Sequence, residues 1–292
     1  MIDLHNHLLH GVDDGATDLA ASFAMARAFV ADGVSVAACT PHILPGLYHN
    51  TGPQIRSGVA ALQVALDQEG IALRLVTGAD NHIVPDFVGG LKSGHLLTIA
   101  DTRYVLVEPP HHVAPQRMDE FFFGIQAAGY VPILTHPERL SWLSQNYDIV
   151  KQLIHNGVWM QITAGSLTGA FGGKPLYWAS RMLDEGGVHI LASDAHDVVK
   201  RPPLLAEAYY AAAKRVGDAE AANLVLNRPR GILENALPSA MPVPLGIVDG
   251  LGVGNVDASE RDRPERPNRA HAEGGDGDSA RGIADRLRRF FK

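Results

Sequence analysis

Two histidines two residues apart, His5 and His7, are followed at once by Asp13 and Asp14 in a glycine-flanked turn. Ile2 and Leu4 alternate with Asp3 and His5, which is a strand pattern, and residues i and i+2 of a strand face the same way. Both imidazoles can therefore reach one cation, and an acid held in the turn can face back toward them. Nitrogen plus carboxylate oxygen suits zinc, manganese or iron better than magnesium or calcium. Similar side chains recur along the chain: Thr40-Pro41-His42, Asp80 after Gly78-Ala79, Glu108 before two prolines, and His136-Pro137-Glu138-Arg139. Last comes Ser193-Asp194-Ala195-His196, followed by Arg201-Pro202-Pro203.

These residues need elements to bring them together. Apolar runs at 34–39, 73–76, 104–107, 131–134, 158–162 and 188–192 read as strands, in addition to the opening one. Helical patterns lie between them, at about 18–31 with Thr17 or Asp18 as cap, 53–69, 115–128, 144–155 and 175–185. Two more, about 204–216 and 219–226, close the series, and 81–98 reads as irregular. Strand and helix thus alternate about seven times, which predicts parallel strands with right-handed crossovers. Ligands in such folds sit beyond the carboxyl ends of the strands. The side chains collected there are His5 and His7, His42, Asp80, Glu108, His136, and Asp194 with His196. An open sheet would spread them in a line, whereas a barrel gathers them in a ring, so the expected class is α/β with a closed barrel.

Bulk properties narrow the function classes. The 292 residues are 46% apolar, enough for a substantial core, and the net charge of −7 argues against a nucleic-acid partner. The start lacks a signal-peptide pattern, and no apolar run reaches about 18 residues, so a cytoplasmic protein is expected. Cys39, the lone cysteine, excludes a disulfide framework. It lies in an apolar strand with Pro45, not arginine, six residues on, so it reads as an inert buried thiol rather than a nucleophile. Gly172-Gly173-Lys174 lacks the rest of a phosphate loop. Composition changes near Pro238. Residues 238–279 are expected to be a disordered linker. Residues 280–292 can form a basic amphipathic helix with Ile283, Leu287, Phe290 and Phe291 on one face, suited to peripheral contact with an anionic membrane or to docking on a protein partner.

The five motifs together resemble the PHP (polymerase and histidinol phosphatase) superfamily, and within it the bacterial tyrosine-protein phosphatases of capsule and exopolysaccharide synthesis. The resemblance spans residues 1–237 and implies a distorted (β/α)7 PHP barrel holding three divalent ions, commonly Mn2+, with Zn2+ or Fe2+ as alternatives. It implies one site at His5, His7, Asp80 and Asp194, a second at Asp80, Glu108 and His136, and a third at Asp14, His42 and His196. Asp80 departs from the pattern, because the bridging position is usually glutamate. Its other reading is a turn residue.

Cations placed close together acidify a shared water, and the resulting hydroxide can attack phosphorus in line while the ions neutralise the phosphoryl oxygens. Arg139 and Arg201, at the rim, match a phosphate bidentately and are assigned to substrate binding, the alternative being loop-bracing arginines. The function read from all this is a metal-dependent protein-tyrosine phosphatase. Its partner would be a phosphotyrosine protein, a membrane-associated kinase that controls polysaccharide synthesis, with self-association left open. The alternatives are a phosphatase or phosphodiesterase for a small phosphoester such as histidinol phosphate, and a non-catalytic metal-bound interaction protein. His10, His49, His82, His95, His111, His112, His155, His189 and His271 read as loop or surface residues, with His111 and His112 near the mouth. Tyr48 and Asn50 can cover the site, and the three tryptophans read as packing residues.

Overall fold

A computed structural model describes residues 1–247. Nine strands run in chain order: β1 (Ile2–Asn6), β2 (Val36–Cys39), β3 (His42–Ile43), β4 (Arg74–Thr77), β5 (Asp80–His82), β6 (Tyr104–Glu108), β7 (Val131–Thr135), β8 (Trp159–Thr163) and β9 (Ile190–Ala192). Among the described residues, all pairings between these strands are parallel, in two sheets of order β1-β2-β4 and β3-β5-β6-β7-β8-β9. The two sheets share staves, because β3 continues β2 and β5 continues β4. Pro41 interrupts the first of these, since it has no N–H to give the ladder. Gly78 interrupts the second. A Cβ there would stand 2.9 Å from Thr40 Cγ2, so the two broken staves pass each other only with glycine at that point. Beyond β9 the chain returns to β1, with Asp194 N–H donating to His5 O and His7 N–H to Ala195 O, each at 2.8 Å. The sheet thereby curls into the expected distorted barrel, with its irregularities at the end that carries the histidines.

The core has an inside and an outside. Ile2, Leu4, Ala38, Tyr104, Leu106, Ile133 and Ile190 fill the interior, while Cys39, Val105, Val107, Leu134, Met160 and Leu191 face the surrounding helices. This alternation would send His5 and His7 outward, since they have the opposite parity to Ile2 and Leu4. The register of β1 against β2 shifts between Asp3 and Asn6, as a bulge does, and the shift turns both rings inward. Buried Asp3 braces that turn, accepting from His5 N–H at 3.1 Å and from the Ser193 N–H and hydroxyl.

Asp18 caps the helix Leu19–Ala31, accepting from Ala21 N–H. The stretch 81–98, expected to be irregular, contains the helix Phe87–Ser93, capped by Asp86. Residues 238–247, placed in the expected linker, instead pack on the barrel: Met241 is buried, Pro242 O accepts from Arg228 Nε, and Gly246 N–H donates to Gly186 O. The rest of that linker and the expected helix at 280–292 lie outside the described residues. Among the described residues, no helix is long and apolar enough to cross a membrane.

The helix Ala206–Val216 has no cap of its own, and Asp32 supplies one from a distant turn, accepting from Leu205 and Ala206 N–H at 2.6 and 2.8 Å. Burial outweighs these bonds and pushes the Asp32 carboxyl up to about 6 from 3.8. The folded state therefore binds a proton that the unfolded state has released between about pH 4 and pH 6, and stability falls as pH rises through that window, by on the order of 3 kcal/mol. Asp32→Asn keeps an accepting oxygen and should make the urea midpoint less steep in pH across this range; an unchanged slope would contradict the assignment.

Candidate metal centre

All nine expected ligands converge at the carboxyl end of the barrel. His5 Nε2 lies 3.4 Å from Asp80 Oδ2 and 3.5 Å from Asp194 Oδ1, and His7 Nε2 lies 3.4 Å from the same Asp194 oxygen. His136 Nε2 is 3.8 Å from Asp80 Oδ2 and 3.6 Å from Glu108 Oε1. Asp14 Oδ1 is 3.6 Å from His42 Nε2 and 3.4 Å from His196 Nε2. Asp80 lies within β5, not in a turn, and its register partner across the sheet is His42. Despite its short side chain, its Oδ2 faces His5, His42 and His136 together.

The local structure holds three of the rings in place. Gln161 takes His5 Nδ1 at 2.8 Å, Asp13 takes His7 Nδ1 at 2.6 Å, and Asp194 O takes His196 Nδ1 at 3.0 Å, so the Nε2 atoms of all three turn to the common centre. Asp13 also accepts from His42 N–H. Of the two acids in that turn, Asp13 is the brace and Asp14 faces the cavity. The turn lies so close to His7 that a Cβ on Gly15 would sit 2.2 Å from His7 O. His136 and Asp194 take left-handed backbone angles, φ 32° and 50°, a strain that clusters at functional sites. Buried Glu138 pins the turn after His136 by accepting from Thr163 N–H at 2.9 Å.

Charge is distributed to suit a cation. Asp194 and Glu108 are both held well below the usual carboxylate range. Burial opposes this, and it is overcome at Asp194 by His5, His7 and the two arginines, and at Glu108 by His111, His42 and His82. His136 is pushed down to about 4, chiefly by burial, and is neutral near pH 7. His7 is raised to about 10, because Asp13 and Asp194 outweigh its burial.

The donor set fits divalent ions. His5 Nε2, His7 Nε2, His196 Nε2 and both oxygens of Asp80 are buried without a hydrogen-bond partner, at a cost of roughly 1–3 kcal/mol each if left so. The spacings of 3.4 to 3.8 Å are long for hydrogen bonds. They match the edge of about 3.4 Å between ligands set tetrahedrally about 2.1 Å from one ion.

Arg139 and Arg201 stand at the rim and both donate to Asp194 Oδ2, Arg201 at 2.5 Å. The Phe171 ring lies under both guanidiniums, 4.8 Å from Arg139 Cζ and 5.9 Å from Arg201 Cζ. Tyr48 stacks on His42 with ring centroids 5.5 Å apart, and Asn50 donates to Val12 O and His42 O. Cys39 is fully buried, and burial pushes its thiol up to about 12. Trp142, Trp159 and Trp178 are buried as packing residues.

Two histidines read as loop or surface residues, His82 and His189, are placed otherwise, and His111, in its loop near the mouth, reaches a ligand. His82 lies on β5 with Nε2 against Glu108 Oε2, and His111 Nε2 is 2.9 Å from Glu108 Oε1. His189 is buried, stacks on Trp159 and accepts from Met160 N–H. The two-residue spacing of Asp80 and His82 on one strand face was a usable signal for the first. His111 is three residues past Glu108, and His189 follows from contacts between distant segments. Gln161 and Glu138 also carry roles here, and a glutamine inside the apolar run Trp159-Met160-Gln161-Ile162 is itself a sign of a polar task.

A family model described as capsular polysaccharide synthesis, CpsB/CapC, matches residues 1–234. The chain is 36% identical over 217 residues to the tyrosine-protein phosphatase YwqE of Bacillus subtilis, covering 74% of this chain and 85% of that one. It is 28% identical over 242 residues to the tyrosine-protein phosphatase CpsB of Streptococcus pneumoniae, covering 81% of this chain and all of the other. Among solved structures it resembles a chain from work on YwqE and CpsB, described there as unique metal-dependent tyrosine phosphatases. The TM-score is 0.78 at 34% identity, covering 81% of this chain and 96% of that one.

Proposed function

Since this chain belongs to the CpsB/CapC family of capsular polysaccharide synthesis, we propose that it is a metal-dependent protein-tyrosine phosphatase, a phosphoric monoester hydrolase. The observation that carries the reading is the convergence of His5, His7, Asp14, His42, Asp80, Glu108, His136, Asp194 and His196 on one cavity, with two arginines at its mouth. These nine side chains would hold three divalent ions, manganese being our reading of their identity. Bound cations would supply Lewis acidity toward water and the phosphoryl oxygens.

The chain's own residues do the rest. Gln161, Asp13 and the Asp194 carbonyl fix ring orientation, so the donor atoms need no reorganisation. His7 must release its Nε2 proton to become a ligand, so metal loading is coupled to proton release and weakens as pH falls. Arg139 and Arg201 are free to exchange one partner for another: their forks hold Asp194 and can turn to a phosphoryl group beside it. With both arginines at the rim, a phosphate on a protein surface can reach them while its carrier stays outside. The substrate is then a phosphotyrosine protein, and a membrane-associated tyrosine kinase of polysaccharide synthesis is the substrate we favour. Contact of residues 280–292 with anionic lipid belongs to the same proposal, and their deletion should lower binding to anionic vesicles without changing peptide turnover. Undiminished vesicle binding would remove that part.

The test is hydrolysis of a phosphotyrosyl peptide against histidinol phosphate with added manganese. Preferential peptide hydrolysis, abolished by chelator and unaffected by Cys39→Ser, supports the reading. Activity on histidinol phosphate alone, or loss of activity in Cys39→Ser with metals still bound, overturns it.

Phe171 adds a smaller expectation. A cation–π contact is worth about 0.5–1 kcal/mol at a partly exposed site, and one ring serves both guanidiniums. Phe171→Leu should therefore raise KM several-fold while kcat changes little; an unchanged KM would show that the ring does not position the arginines.

A further inference from the structure

Glu108 has more histidine around it than one ligand set needs. It ends β6 directly opposite His82 in the β5–β6 register, and His82 shares its strand face with Asp80, two residues earlier. On the Oε2 side, His82 Nε2 touches the oxygen, His42 Nδ1 is 3.2 Å from it, and the two nitrogens are 3.3 Å apart. On the Oε1 side, His111 Nε2 is at 2.9 Å and His136 Nε2 at 3.6 Å. The two sides match in ring spacing as well, with centroids 5.1 Å apart in both the His42–His82 and the His111–His136 pair. Each side is a group of three donor atoms all within 4.8 Å of one another.

His111 is not a loose loop residue that happens to swing in. Its carbonyl accepts from the Ser141 N–H at 3.0 Å and the Ser141 hydroxyl at 2.9 Å, which ties its loop to the turn after His136. Two imidazole nitrogens converge on each oxygen, and each group of three donors is close enough to share one cation.

We propose that His82 and His111 are themselves cation ligands beside Glu108. The inference rests on the metal-centre reading above and goes beyond it in ligand set. It makes this end of the cluster richer in nitrogen, which favours iron or zinc over magnesium.

The test uses the full chain with nitrogen-15-labelled histidine, loaded with cadmium-113, and reads one-bond coupling between the metal and ring nitrogens by NMR. His82→Gln and His111→Gln assign the resonances, and His112→Gln, an exposed neighbour, serves as control. Coupling at His82 and His111, in addition to His5, His7, His42, His136 and His196, is expected. Should a variant fail to fold, the number of coupled imidazoles in the wild-type spectrum decides between the two ligand sets. Coupling confined to the last five, with His82 and His111 still carrying N–H protons toward Glu108, overturns the inference and leaves the metal centre standing. Coupling at none of them overturns both.

Discussion

Asp194→Asn should lower kcat for a phosphotyrosyl peptide by roughly 10³-fold or more and reduce the metal content of the purified protein. One oxygen of Asp194 faces His5 and His7, while the other accepts from Arg139 and Arg201. The side chain thus sits between the proposed ions and the proposed phosphate clamp. The amide keeps its shape, so a collapse of the fold is not expected to be the cause. What is lost is a negative charge on which two imidazoles and two guanidiniums converge inside the protein, where such a charge counts most. Melting measured alongside turnover separates the effects: the account requires a folded, metal-poor and inactive variant. Turnover within a few-fold of wild type would remove Asp194 from the ligand set.

The second large effect concerns the arginines. Arg139→Ala and Arg201→Ala should each lower kcat/KM by about 10²-fold, a loss of about 2.7 kcal/mol, with metal content unchanged. Lysine in either place should rescue only part of this, because an ammonium keeps the charge but loses the planar fork. The double variant should fall short of the product of the two single losses, since both groups bear on one phosphoryl group. Steady-state kinetics with a metal assay on each preparation is the check. Wild-type kcat/KM in either alanine variant would leave that arginine as a brace for Asp194 and nothing more.

Much of this centre is legible in the chain itself. Alternating apolar runs and helical patterns announce parallel strands, and the residues that follow each run announce what the strands present. The strand breaks are not legible. β3 and β5 are two and three residues long, too short to carry periodicity, so His42 and Asp80 read as residues beyond strand ends, although they begin the upper halves of broken staves. The inward turn of His5 and His7 depends on a register shift against β2, which only the pairing reveals. His111 depends on Ser141 fastening its loop, a contact between distant segments. His189 reads as polar and exposed because histidine usually is, yet it accepts a backbone N–H in a place where its ring packs on Trp159. The change of composition near residue 237 marks an end that the packed chain passes, since Met241, apolar and buried, lies beyond it.

The central claim is that these acids and imidazoles cage divalent ions which the hydrolysis requires. Stripping the purified chain of metal and adding manganese back in steps, while following phosphotyrosyl-peptide hydrolysis and bound metal together, tests it most directly. The account predicts no turnover in the stripped protein and a rise to a plateau as about three ions per chain are taken up. Full turnover in the stripped protein, or uptake of manganese with no gain in turnover, would contradict it.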